Sequence, residues 1–233
     1  MYGYYGYGLY DPTMILVLIG AVLSLWASAK VKNTFNRYSS VRSMTGMTGA
    51  EAAQRLLNSQ GIYDVTVRPV SGQLTDHYDP RTKTVNLSDG VYSSTSVAAI
   101  GVAAHECGHA IQYAEEYTPM KVRGALVKVT NFSSSISMFI VILGLIFSFR
   151  ELALVGVALF SVVVLFQLVT LPVEFNASRR AVKILDGYMD REELSGVKSV
   201  LSAAAMTYVA ALVSAIFQLI RLLAIVGGGR DRK

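Results

Sequence analysis

Apolar and polar positions in this chain of 233 residues form long uniform blocks separated by two mixed ones. The first block, PTMILVLIGAVLSLWASA from Pro12 to Ala29, is uncharged and is close to the roughly 20 residues that cross a bilayer as a helix. Two more apolar blocks run from Val129 to Phe149 and from Leu152 to Leu171, separated by Arg150 and Glu151; a fourth runs from Leu201 to Val226. The pattern predicts a mainly α membrane protein with about four transmembrane helices: 12–29, a hairpin over 129–171, and 201–226.

The mixed blocks read differently. Residues 30–128 read as a small α+β domain. In TGAEAAQRLLNSQG, Thr48 is placed to cap a helix, Glu51 to complete a capping box and Gly61 to end it. Alternation in IYDVTVRPV, QLTDHY and KTVNLS predicts strands, the last two joined by a turn at Asp79–Thr82, and hence a small antiparallel sheet. From the Ser/Thr caps at Ser94–Ser96 a single helix is expected to run without a breaker until just before Pro119. The second mixed block, 172–200, is read as a further helix outside the lipid.

Composition supports the membrane reading. Hydrophobic residues make up 52% of the chain and charged ones 16%, with a mean hydropathy of +0.43. One cysteine excludes an internal disulfide framework and suits a reducing compartment. The net charge of +5 is scattered among apolar helices rather than gathered in a patch with stacking aromatics, which argues against nucleic acid as a partner. Lys30, Lys32 and Arg37 follow the first span, whereas MYGYYGYGLYD before it holds no basic residue. The first span is therefore expected to be an uncleaved anchor, with the Tyr/Gly-rich tail 1–11 outside and 30–128 and 172–200 in the cytosol. The basic tail 227–233 runs against this rule, and so does Arg221 inside the fourth run. A re-entrant or surface-packed fourth segment stays open.

Candidate chemistry is concentrated in AAHECGHAIQ, residues 103–112, which hold two of the chain's three histidines. On a helix, His105 and His109 lie one turn apart on the same face and can reach one small cation with their ring nitrogens. Glu106 is rotated by about 100° from His105 and flanks such a cation. Two imidazoles suit Zn²⁺, which lowers the pKa of a bound water to about 7 so that an adjacent carboxylate can take its proton. The bland alternative is a pair of histidines hydrogen-bonded in a core. On an Ala/Val/Ile surface, however, two histidines and a carboxylate are costly without a partner. A catalytic zinc needs a third protein ligand. Its candidates are His77 and the downstream acids, among which Glu174 in LPVEFNASRRA stands out, just past Pro172 at the end of the third span. Its alternative role is that of a carboxylate complementing a helix dipole.

With DHYDP, AAHECGHAIQ and LPVEFNASRRA in view, the chain resembles the bacterial membrane neutral zinc metallopeptidases of the YugP type over nearly its whole length. More distantly, HECGH followed after two spans by EFNASRRA is similar to the HtpX and CAAX-processing peptidases. Their second motif reads Glu-x-x-x-Asp. Ser178 stands where that Asp would be, which leaves the Glu174 position intact but removes the carboxylate that would hydrogen-bond a ligand histidine. The resemblance implies a zincin-like domain of gluzincin type carrying HExxH, with one Zn²⁺ on His105, His109 and Glu174, and Glu106 as general base.

Further candidates are weaker. His77 and Tyr78 lie on a strand that can pair with an extended peptide or stabilise an oxyanion; equally, DHYDP is a strand end and tight turn. Asn176 and Arg179 are candidates for orienting substrate, although Arg179 also suits a lipid headgroup. Cys107 reads as a small packing residue. The leading expectation is a multi-pass plasma-membrane zinc endopeptidase acting on membrane proteins or peptides near the inner face. A non-catalytic zinc-binding scaffold is the rival, and a transporter, with so few ionisable residues in the spans, is the third reading.

Overall fold

The structure, a computed structural model, describes residues 12–228; the Tyr/Gly-rich start and most of the basic tail, both expected outside the membrane, lie outside the described residues. The elements are α1 (Met14–Ser39), α2 (Gly49–Ser59), β1 (Thr66–Val70), β2 (His77–Asp79), β3 (Thr84–Ser88), α3 (Asp89–Tyr92), α4 (Val97–Ala114), α5 (Thr118–Ile146), α6 (Arg150–Leu185) and α7 (Arg191–Gly227). The fold is mainly helical with one small sheet. Helices α1, α5, α6 and α7 are each long and apolar enough to cross a membrane. The chain divides into two compact units, whose described residues are 12–26, 123–169 and 208–228 in one, and 27–122 and 170–207 in the other.

The first unit is all helix. A side chain on Gly144 would run into the Ala153 backbone, and one on Gly156 would lie 2.6 Å from a Val141 methyl. Small residues thus bring α5 and α6 close, the packing that holds helices together where lipid supplies no hydrophobic drive. Ser214 donates to the Gly20 carbonyl at 3.0 Å and lies 3.1 Å from the Ser24 hydroxyl, which joins α1 to α7. Arg150 Nε donates to the Val226 carbonyl at 3.3 Å, a cation at a helix C-terminus where free carbonyls favour it. Leu25 is 72% exposed, and Val22, Phe132, Phe139 and Ile146 are exposed as well, an apolar surface too extensive for a water-facing unit. Helix α7 runs unbroken through Arg221 to Gly227; no re-entrant break interrupts it.

The second unit carries the sheet. Helix α2 begins with the expected capping box: Glu51 N donates to the Thr48 hydroxyl at 3.2 Å and Thr48 N to Glu51 Oε2 at 2.8 Å. Gly61 follows its end with φ +74°, a left-handed conformation that glycine adopts without strain. The sheet order is β1-β3-β2, with β2 antiparallel and β1 parallel to β3. The β2–β3 pair is antiparallel as expected, and β1 corrects the expectation of a wholly antiparallel sheet. Alternation encodes which face is buried but not which way a neighbour runs. Here residues 71–76 carry the chain past β3, turning at Gly72 (φ +113°) and Leu74 (φ +56°). Asp76 fastens that crossing by accepting from Ser88 N at 2.7 Å and from the Ser88 hydroxyl at 2.9 Å. Strand β3 is central, and Val85 and Leu87 are fully buried against α2 and α4 in one core.

Three helix boundaries also differ from expectation. Helix α1 continues ten residues beyond Ala29 to Ser39, because nothing in KVKNTFNRYS breaks it. Helix α4 starts at the Ser96 cap as expected but ends at Ala114 rather than at Pro119. Glu116 there takes φ +55°, and Tyr117 N bonds back to the Gln112 carbonyl at 2.9 Å, so the turn is closed before the proline. Pro119 instead opens α5, where a missing N–H costs nothing. Finally, 172–200 is not one separate helix. Pro172 lies inside α6, which runs on to Leu185, and α7 restarts at Arg191. Its cap is Asp190, whose Oδ1 accepts from Glu192 N at 2.9 Å and Glu193 N at 2.8 Å.

Candidate metal centre

Helix α4 is buried on almost every side, as an Ala/Gly/Val sequence allows. Its approach to α6 depends on Gly108: a Cβ there would lie 2.6 Å from the Ala177 carbonyl oxygen and 3.1 Å from its Cα and carbonyl carbon. Because the backbones nearly touch, side chains next to this contact on the two helices face each other. His105 and His109 on α4 thus meet Glu174 on α6 within the second unit. Their potential ligand atoms all lie within 4.8 Å of one another.

Glu174 Oε2 is 3.3 Å from His105 Nε2 and 3.4 Å from His109 Nε2. These separations are long for charge-assisted N–H···O bonds, which run about 2.7–2.9 Å. They match the edge of a tetrahedron whose centre sits about 2.0–2.1 Å from each ligand atom, roughly 3.4 Å. The imidazole rings are set edge to face, 82° apart with centroids at 4.7 Å. Glu174 is 2% exposed and His109 7%.

Hydrogen bonds behind the cluster decide which ring nitrogen faces it. Gln112, fully buried, donates through Nε2 to the Val173 carbonyl at 2.8 Å and to Asn176 Oδ1 at 2.9 Å. Asn176 Oδ1 also accepts from Arg180 Nε at 2.7 Å. Both amides are thereby oriented, and Gln112 Oε1 is left as the acceptor 3.0 Å from His109 Nδ1. Nδ1 must carry the hydrogen. In the neutral ring Nε2 then presents a lone pair to a carboxylate oxygen, an arrangement that calls for a cation between them. Burial pushes the His109 imidazole towards its neutral form, but the hydrogen bond to Glu174, the charges of Glu106 and Glu174 and the Gln112 bond outweigh it and hold its pKa above the ordinary value. The donor set of two imidazoles and a carboxylate is that of catalytic zinc, so these residues fit the ion.

On the other ring, Ser178 Oγ is 3.1 Å from His105 Nδ1. The hydroxyl occupies the place where related motifs carry Asp, and the orienting bond is made after all. Glu106 is buried, 7% exposed, and its carboxylate makes no hydrogen bond among the described residues. Cys107 points away: its thiol donates to the Ala53 carbonyl at 3.5 Å, and burial pushes its pKa up, so it packs rather than ligates.

The remaining candidates are placed as follows. His77 is exposed on the edge strand β2, its Nδ1 2.8 Å from the Thr75 carbonyl and its Nε2 3.3 Å from Asn86 Nδ2; it is not in the cluster. Tyr78 is buried beside Tyr113, ring centroids 6.1 Å apart. Its phenol is pushed up to about 12 by burial, with Tyr113, Asp64 and Asp79 adding to the effect. Asn176 acts one step back, through Gln112. Arg179 is exposed, while its neighbour Arg180, which sequence reasoning passed over, pairs with Glu115 Oε2 at 2.7 Å and lies over the Tyr117 ring. Gln112 was missed as well. Its signal was available: it stands three residues after His109, on the same helix face.

A mainly helical chain with four helices long and apolar enough to cross a membrane and a buried two-histidine, one-carboxylate cluster has the outline of a membrane metallohydrolase, and comparison with known proteins agrees on that class. Residues 13–227 match the family described as "Putative neutral zinc metallopeptidase", and the chain belongs to that family. It is also 46% identical over 220 residues to "Putative membrane protease YugP" of Bacillus subtilis (strain 168), covering 94% of this chain and 98% of that one. No solved structure matches.

Proposed function

We propose that this chain is a multi-pass membrane zinc endopeptidase that cleaves membrane proteins or peptides close to the cytoplasmic face of the plasma membrane. The observation that carries the reading is the convergence of His105 Nε2 and His109 Nε2 on one buried Glu174 oxygen at 3.3 and 3.4 Å, with Glu106 alongside. His105, His109 and Glu174 are the residues that would hold Zn²⁺, one ion per chain, in a gluzincin-like site. When bound, zinc supplies Lewis-acid polarisation of the scissile carbonyl and acidification of water.

The chain's own residues do the rest. Glu106 takes a proton from the attacking water and passes it to the leaving amine, as a buried carboxylate with no competing hydrogen bond can. Ser178 and the Gln112–Asn176 pair fix ring orientation, which turns both Nε2 atoms towards the place the ion would take. The edge strand β2 offers its free side to an extended substrate, with His77 and Tyr78 as oxyanion or rim donors; Arg179 is an exposed cation for substrate or headgroup. The inward orientation is supported by Lys30, Lys32 and Arg37 directly after the first apolar run.

The test pairs metal content with cleavage of a membrane-protein substrate, with and without chelator. Glu106→Gln is expected to keep stoichiometric zinc and to lose proteolysis by at least about 100-fold. Normal turnover by that variant sinks the mechanism. Zinc without cleavage in the wild type, across substrates, would point to a scaffold instead.

A further inference from the structure

Helix α1 changes character at Lys30. Up to Ala29 it carries no charge; beyond that point Lys30, Thr34 and Arg37 recur four and three residues apart and so share one face. The first turns of α7 offer Ser199 and Ser202, also three apart. The two helices are in close contact at this level, because a Cβ on Gly196 would lie 2.8 Å from the Tyr38 ring. Beside that contact is a cavity of about 280 Å³ lined by Lys30, Thr34, Arg37, Tyr38, Ser199 and Ser202. Its charge is of one sign: two cations and several hydroxyls, with no carboxylate among the described lining residues. Arg37 also rests over the Tyr38 ring, 5.5 Å from its centroid.

Two cations with the Thr34 and Ser202 hydroxyls beside them select an oxyanion, while the Ser199 hydroxyl is spent on the Ser195 carbonyl at 2.9 Å; a guanidinium fork suits phosphate in particular. The volume falls near the small end of ligand sites, which begin at about 300 Å³; it holds a headgroup and not acyl chains. Position narrows the source of the phosphate. The cavity opens at the first charged residue after the apolar run of α1, and α7 becomes apolar at Leu201, within the lining itself. A phosphate held there sits at the end of both apolar segments, where headgroups lie. We infer that this groove binds the phosphodiester headgroup of an anionic phospholipid whose acyl chains stay in the bilayer. The inference rests on α1 and α7 crossing the membrane and not on zinc chemistry at the other site.

The full-length protein in nanodiscs of phosphatidylcholine doped with phosphatidylglycerol tests it, read by native mass spectrometry of retained lipid. Wild type is expected to retain one phosphatidylglycerol in preference to phosphatidylcholine. The double variant K30Q/R37Q should lose at least about tenfold of that preference, since each juxtamembrane cation contributes about 1 kcal/mol. Thr34→Val with Ser202→Ala, which leaves the charge unchanged, should also weaken retention several-fold. A cation on another face, tested by Lys32→Gln, should lower the preference no more than general surface attraction does. The inference is overturned if T34V/S202A retains lipid like wild type, or if Lys32→Gln costs as much as Arg37→Gln, because either shows a diffuse field. It is equally overturned if inorganic phosphate or glycerol 3-phosphate displaces the lipid, which would make this a site for a soluble phosphate. Zinc content and cleavage measured on the same variants report separately on folding and on the peptidase reading.

Discussion

Replacing Gly108 by alanine adds one methyl group at the point where α4 and α6 approach most closely. The new carbon would sit 2.6 Å from the Ala177 carbonyl oxygen and 3.1 Å from the Ala177 carbonyl carbon and Cα. All three are backbone atoms, so no side chain can swing aside. Restoring ordinary contact requires the helices to part by roughly 1 Å. The ligand atoms lie on opposite sides of this contact, His105 and His109 on α4 and Glu174 on α6, with separations of only 3.3 and 3.4 Å. A shift of that size removes one ligand from bonding range. Metal affinity should fall by at least the 10–100-fold that loss of a supporting contact typically costs. Overpacking should destabilise by about 1–3 kcal/mol. Intrinsic propensity pushes the other way, since alanine is better than glycine within a helix by about 1 kcal/mol, so the sign of the result is informative. Chelator competition and thermal unfolding of detergent-purified protein give both quantities. Gly124→Ala is the control, because a Cβ there meets nothing within 4 Å; it is expected to bind zinc normally and to be no less stable. A Gly108→Ala variant with wild-type zinc affinity and a raised midpoint would refute the close-approach argument.

Two substitutions behind the ligands are expected to behave differently from each other. Ser178→Ala removes the bond to His105 Nδ1 and should weaken zinc binding by about 10–100-fold, while Ser178→Asp, a longer side chain that also accepts, should restore it; chelator titration of the pair checks this, and unchanged affinity in the alanine variant counts against it. Gln112→Glu should not rescue what Gln112→Leu loses, because a carboxylate cannot donate to the Val173 carbonyl and Asn176 Oδ1. Both should lose about 1–3 kcal/mol of stability together with metal affinity, and a fully active Gln112→Glu enzyme would contradict the assigned amide orientation.

Much of this was legible before any coordinates. Uniform apolar blocks marked the four long helices, since length and lack of charge alone distinguish a segment that can cross lipid. Thr48 and Glu51 marked α2 because capping is local chemistry. Glu174 stood out by its place just past Pro172 at the end of the third span, motif likeness then joined LPVEFNASRRA to AAHECGHAIQ, and the structure shows why those segments meet: Gly108 lets α4 settle on the Ala177 backbone. What stayed hidden was non-local or depended on a single turn. Nothing in the alternation of residues 66–70 shows that β1 runs parallel to β3, because that is decided by the crossing at Gly72 and the Asp76 bonds. Pro119 read as a stop because a proline disfavours the helix before it, but the same residue is at home in a first turn, and only the left-handed Glu116 shows where α4 ends. Gln112 could be placed on the histidine face from its spacing, but the partners that make it a supporting residue, Val173 and Asn176, lie more than sixty positions away.

The lone-pair geometry carries one more consequence, for stability. A fixed Nδ1–H on His109 turns Nε2 towards a carboxylate that is 2% exposed, so the second unit is built around a place for positive charge. A metal that binds only the folded state stabilises it by mass action, about 4 kcal/mol when free zinc is a thousandfold above its dissociation constant. In a chain of this size that corresponds to a rise of roughly 10 °C in the unfolding midpoint. Adding chelator to wild-type protein should therefore lower the midpoint by about that amount, and zinc, but not magnesium, should restore it. Glu174→Gln keeps the shape and removes the charge. Its midpoint should not respond to chelator at all, and it should lie below that of the zinc-loaded wild type. If chelator shifts the two proteins equally, the ion that matters is bound elsewhere and Glu174 is not its ligand. If it shifts neither, the lone pairs of His109 and Glu174 are kept apart by a proton and not by a metal.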